Sequence, residues 1–169
     1  IRIKMGEKRK IFTKKIEYSG LLDLKDLHKV IKDFFESKQY GYDDPEYEET
    51  AKEDSKSFKM KIEFEKDLSD YLKHIFKIKF EANEIKNVEV ERAEHKVLMQ
   101  DAKIKIEIEG IIETDYGDAW NFNKNWFFIK TVFNKIVMSK ELEPDNELMI
   151  QVGNELLSRI KGFLNLYQY

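Results

Sequence analysis

The chain has 169 residues, 41% of them apolar and 37% charged, with a formal net charge of −3. That length and apolar content suit one domain with a real core under a heavily charged surface, and the acidic balance counts against a general polyanion binder. There is no cysteine, which excludes disulfides, thiolate metal sites and a cysteine nucleophile, and no apolar run approaches the about 20 residues needed to span a bilayer.

Residues 1–4 precede Met5 and are set aside as an upstream extension or a processed start, which leaves a domain of 5–169. No apolar stretch of a signal peptide is visible near the start, and a cysteine-free chain fits a reducing compartment; the expected location is cytoplasmic. Residues 8–18, with Ile11, Phe12, Ile16 and Tyr18, predict a first strand, and Ser19-Gly20 predicts its end. Leu24, Leu27, Val30, Ile31, Phe34 and Phe35 then recur at helical spacing, which predicts a helix over about 22–37 with Asp23 as its N-cap.

Over 39–56 the periodicity stops. Seven acids lie there (Asp43, Asp44, Glu46, Glu48, Glu49, Glu53, Asp54), interleaved with Tyr40, Tyr42 and Tyr47 and broken by Pro45. Two readings are open: a solvated acidic loop, or a tyrosine-bearing contact loop for a basic partner.

Strict alternation of apolar and charged residues follows, and it predicts strands with one wet and one buried face. The segments are 57–66, 71–81, 86–92, 96–99 and 102–114, and their short polar links predict antiparallel neighbours. On the last of them Ile104, Ile106, Ile108 and Ile112 share one face, opposite Lys103, Lys105, Glu107 and Glu109. Gly110 predicts a bulge or a close approach, and a bulge there would curl the sheet.

Residues 115–124 form a polar, aromatic-bearing connection. Trp126, Ile129, Val132, Phe133, Ile136 and Val137 predict a helix over 126–138, and Pro144 predicts a break. A long final helix carries Met149, Val152, Leu156, Ile160, Phe163 and Tyr167 on one stripe, capped by Asp145 or Asn146. The order β-α-β-β-β-β(-β)-α-α predicts an α+β two-layer fold: one curved antiparallel sheet, covered on one face by helices that include the long C-terminal one.

The run from Ile160 to Tyr169 (IKGFLNLYQY), Lys15 to Leu21 (KIEYSGL) and Glu113 to Tyr116 (ETDY) together resemble a small family of archaeal-type proteins of similar length. The resemblance spans nearly the whole chain and implies a compact domain; it brings no activity and no site residues. In element order alone the chain is similar to the helix-grip fold of the Bet v 1 and START lipid-binding proteins. It departs from them in having one helix and an acidic segment after the first strand, and an extra helix at 126–138. Fold order does not fix function.

Chemical motifs are sparse. His28, His74 and His95 have no i, i+4 spacing for zinc, and His74 lies on the apolar phase of its strand, as a core histidine would. Glu113, Asp115 and Asp118 cluster after the last strand but match no calcium loop, and turn or cap roles account for them. No GxGxxG, GxxxxGK or GxSxG occurs, so neither a cofactor nor an enzymatic reaction is indicated. Trp120, Phe122, Trp126, Phe127 and Phe128 form the densest aromatic cluster, which fits core closure, the mouth of an apolar site, or a docking patch. The basic run Arg2, Lys4, Lys8, Arg9, Lys10, Lys14 and Lys15 fits the wet face of an edge strand, and alternatively an anionic partner.

Three functional expectations follow. The first is a non-enzymatic binding or adaptor domain for a protein partner, with Tyr40, Tyr42, Tyr47, Trp120, Phe122, Trp126 and Phe127 as contacts. The second is a carrier or sensor of an apolar small molecule, held in a cavity of about 300 Å3 or more lined by Ile108, Ile112, Val152, Leu156 and Phe163. The third is association with nucleic acid or an anionic membrane through the N-terminal basic run, against which the net acidity counts. A homodimer through an exposed edge strand or the aromatic helix is a further expectation.

Overall fold

The computed structural model describes residues 7–52, 55–70, 72–114 and 143–166. Within them lie β1 (Glu7–Leu22), α1 (Leu24–Ser37), β2 (Gly41–Tyr42), β3 (Glu46–Lys52), β4 (Ser55–Asp67), β5 (Leu72–Arg92), β6 (His95–Thr114) and α2 (Glu143–Asn165). All six strands belong to one open, curved antiparallel sheet in the order β1-β6-β5-β4, with β2 and β3 both on the outer edge of β4. The class is α+β. The helix expected over 126–138 lies outside the described residues.

Alternation builds the core. Rows of partners such as Phe64 with Phe76, Ile62 with Ile78, and Phe80 with Ile106 line the inner face of the sheet, and α1 and α2 bury against it. Asp23 caps α1: its Oδ1 accepts from the amides of Lys25 (2.9 Å) and Asp26 (3.0 Å). That fixes the helical phase, so Leu27, Ile31, Phe34 and Phe35 point inward. Phe35 stacks on Phe64 at 4.1 Å between ring centres, an anchor of about 1.5–3 kcal/mol by burial alone.

Several expectations are corrected. β1 does not end at Ser19-Gly20. Gly20 has φ 149°, a region essentially reserved for glycine, and the strand continues through it in unbroken register with β6 to Leu22, which is fully buried. Gly110 carries no bulge. The irregularity is on the facing strand, between Lys10 and Phe12. It changes the phase of β1, so Lys10 reaches Glu109 on the charged face while Arg9 donates to Asn146 of α2.

Residues 41–42 and 46–52 of the segment 39–56 are strands and not loop. β2 and β3 within it extend the sheet along β4, and alternation is missing because nearly every side chain described there is exposed. The five expected meander segments form three strands: 71–81 and 86–92 join across a bulge between Asn83 and Lys86, and 96–99 and 102–114 are both parts of β6. Pro144 lies not in a break before the last helix but in the first turn of that helix, which begins at Glu143 and where a missing N–H costs nothing.

Candidate functional site

Tyr40 is not a surface contact. It follows the end of α1 and is 6% exposed, edge-on to Phe35 and Phe76. Its hydroxyl and Nδ1 of His74 are hydrogen-bonded at 3.2 Å, the tautomer deciding which donates. His74 is fully buried, and its Nε2 has no partner among the described residues. Burial pushes its pKa down to about 4, helped by the nearby Lys66 ammonium, and pushes Tyr40 up to about 12.

Tyr42 and Tyr47 are on the surface, 39% and 62% exposed. Lys32 Nζ lies 4.8 Å from the Tyr42 ring, and Tyr47 flanks Phe58 at 5.9 Å. Trp120, Phe122, Trp126, Phe127 and Phe128 lie outside the described residues, as do Asp115 and Asp118.

The residues expected to line an apolar cavity, Ile108, Ile112, Val152 and Leu156, belong to one buried cluster, with Phe163 packed partly exposed against it. Between β6 and α2 the ring of Phe12 lies against Gly110 and Gly153, so close that a methyl on either glycine would meet it at 2.5 or 2.4 Å. A groove of about 680 Å3 lies elsewhere, open to solvent beside Phe34, Ile150, Asn154 and Arg159.

The outer face of the sheet is a lattice of ion pairs. Lys15 and Lys79 reach Glu107 at 3.2 and 2.9 Å, Lys10 reaches Glu109 at 2.7 Å, and Lys77 reaches Glu63 at 2.8 Å. Hydrogen bonds from Lys79 and then Lys15 hold Glu107 down to about 2. Of the basic run, Lys8 also pairs with Glu113 (3.9 Å) and Lys14 donates to Asn154 (2.7 Å); Arg2 and Lys4 lie outside the described residues. Among the described residues no three His, Asp or Glu side chains come together as a metal site would require, and no helix there is long and apolar enough to cross a membrane.

The sequence reading missed a projecting ribbon. Pairing of β4 with β5 reaches Ile85, and pairing of β1 with β6 begins at Gln100. Residues 86–99 therefore extend as two strands alone among the described residues, for about 20 Å. Val88 pairs with Met99 and Val90 with Val97 on one side, and Leu98 faces the other. Val88, Val97 and Leu98 are 36%, 39% and 55% exposed. The alternation of 86–92 signalled a strand, but a valine side and a charged side look the same in sequence whether or not anything covers the valines.

No protein-family model matches the chain, and a comparison with curated proteins gives no match.

Proposed function

We propose that the protein is a non-enzymatic binding domain for a protein partner, working in the reducing cytoplasm, and that the ribbon of 86–99 is its main contact. The observation that carries this reading is the exposure of Val88, Val97 and Leu98 on a hairpin with both edges open among the described residues. A two-stranded hairpin is marginal in water by itself. An added strand or an apolar surface would cover those valines and pair the open amides and carbonyls. Tyr42 and Tyr47, exposed at the β2 and β3 edge, offer a second contact.

The experiment compares proteins co-purifying with the full chain, with a V97E/L98E variant, and with a control carrying Lys25→Glu on the exposed side of α1. A partner retained by the chain and the control but lost with V97E/L98E supports the reading. An unchanged set of partners across all three removes the ribbon as the contact.

A further inference from the structure

The ribbon leaves the sheet at an irregularity that crosses two ladders. On the β6 side Asn83 faces Lys103 and Lys86 faces Asp101, so three steps of β5 meet two of β6. On the β4 side Ala82 faces Phe58 and Ile85 faces Lys56, again three steps against two. One residue of β5 is therefore unmatched by either neighbour. Glu84 there has φ 54°, in the left-handed region that non-glycine residues rarely adopt. Its carboxylate accepts from Lys103 Nζ at 2.9 Å, but both side chains are largely exposed, and a surface pair of this kind adds little. Support from the flanking strands ends near the same level: β4 makes its last pair with β5 at Ile85, and β1 its last with β6 at Gln100. Burial ends there too. Met99 is 2% exposed and Gln100 accepts the Leu24 amide at 3.2 Å, whereas every residue from Glu91 to Leu98 is exposed. Beyond this root the pairing of β5 with β6 runs without a break from Lys86 with Asp101 to Arg92 with His95.

We propose that residues 86–98 form an arm that swings as one body about the bulge at Glu84 and Ile85. A bulge removes a ladder pair and bends the strand that carries it. Here no regular ladder splints the bend, because the pairing with β4 is interrupted at the same residues. A two-stranded ribbon resists bending within its own plane, where hydrogen bonds would have to stretch or compress, and yields along its normal. The swing therefore runs towards the valine side or towards the Leu98 side. Little opposes it, since backbone with few buried side chains and open edges has low local stability, and Val88, Val97 and Leu98 are all exposed. Met99 and Gln100 hold the fixed side of the root. Such an arm can turn either of its apolar sides to a surface after first contact. This motion goes beyond the contact role of the ribbon and is tested with no partner present, so the failure of one leaves the other standing.

The test is NMR measurement of residual dipolar couplings for the backbone amides of the full chain in a weakly aligning medium. The couplings of 86–98 should fit the hairpin's own geometry with an alignment smaller than that of 72–82 and 103–112. The reduction expected is about a sixth or more, as for a backbone whose order parameter falls from about 0.85 to below about 0.6. Deletion of Glu84 gives both ladders equal counts and keeps the valines on their side, so it should raise the alignment of the ribbon to that of the sheet. Glu84→Gly keeps the bulge but frees its backbone, so it should lower the alignment further, and it decides the matter where the deletion does not fold. A single alignment for ribbon and sheet in the full chain overturns the proposal. So does a reduced alignment that neither variant changes, because the pivot would then lie elsewhere. Couplings of 86–98 that fit no single hairpin also overturn it, because the strands would then fray instead of swinging together.

Discussion

Gly110 of β6 and Gly153 of α2 both lie against the Phe12 ring, and both must lack a side chain for the helix to lie this close to the sheet. The bulge in β1 between Lys10 and Phe12 is what delivers the ring to that gap. Gly153→Ala should destabilise the fold by about 1–3 kcal/mol through overpacking. Helix propensity by itself would favour alanine by about 1 kcal/mol, so a net loss isolates the clash with Phe12. Adding Phe12→Leu should recover part of the loss. Urea unfolding of the two single variants and the double variant measures the coupling, and additive effects would mean that ring and glycine do not act on one another.

His74 gives the fold a dependence on mild acid. Its pKa is about 4 in the fold and about 6.5 in an unfolded chain. The folded state therefore binds the proton less well. The contribution of the neutral ring is complete above about pH 6.5 and is lost as pH falls towards 4. His74→Gln, which can keep a hydrogen bond to Tyr40 without titrating, should flatten the pH dependence of the denaturation midpoint across that window. Tyr40 works in the other direction: raised to about 12, it contributes fully below about pH 10 and ceases to as pH rises towards 12.

Glu107 should titrate near pH 2 when its carboxyl carbon is followed by NMR. Its pKa is depressed, so its contribution is present above the unfolded value of about 4.3 and is lost as pH falls through the folded value. Lys79 is the larger cause and Lys15 the second. Lys79→Met should therefore raise the midpoint more than Lys15→Met. Equal shifts would mean that the two lysines share Glu107 evenly.

The tip of the ribbon is strained. Ala93 and Glu94 link β5 to β6 with φ of 45° and 68°, where non-glycine residues are disfavoured. Two-residue hairpin turns of this hand favour Asn-Gly. The double change A93N/E94G should therefore stabilise the hairpin by about 1 kcal/mol, read as slower amide hydrogen exchange over 86–99. Unchanged exchange would show that the ribbon opens from its root and not from its tip.

The strands from Phe58 to Ile112 were legible because each sets lysines and glutamates against isoleucines and phenylalanines, and that pattern has one solution when a single face is buried. Asp23 was equally legible, since a cap acts within three residues. β3 was not, because Glu46, Glu48 and Glu49 are exposed alongside Tyr47 and no alternation arises without a buried side. Tyr40 looked like its neighbours Tyr42 and Tyr47, yet it is buried on His74, 34 residues further along the chain. Gly110 was flagged as special, but which of its two meanings held depended on Phe12 and Gly153, far away in sequence and adjacent only in the folded molecule.

The pairing of β1 with β6 has a kinetic consequence. β5 and β6 are joined through a turn at Ala93 and Glu94 and can zip outward from it with little loop to close. β1 meets β6 only across long stretches of chain: the Glu7 carbonyl accepts from the Thr114 hydroxyl 107 residues away at one end, and Leu22 pairs with Gln100 at the other. Closing loops of that length is entropically unfavourable until β6 already stands as a template. Refolding is therefore expected to proceed from the β5–β6 hairpin through β4, with β1 among the last strands to dock and Phe12 settling against its two glycines only at that final step.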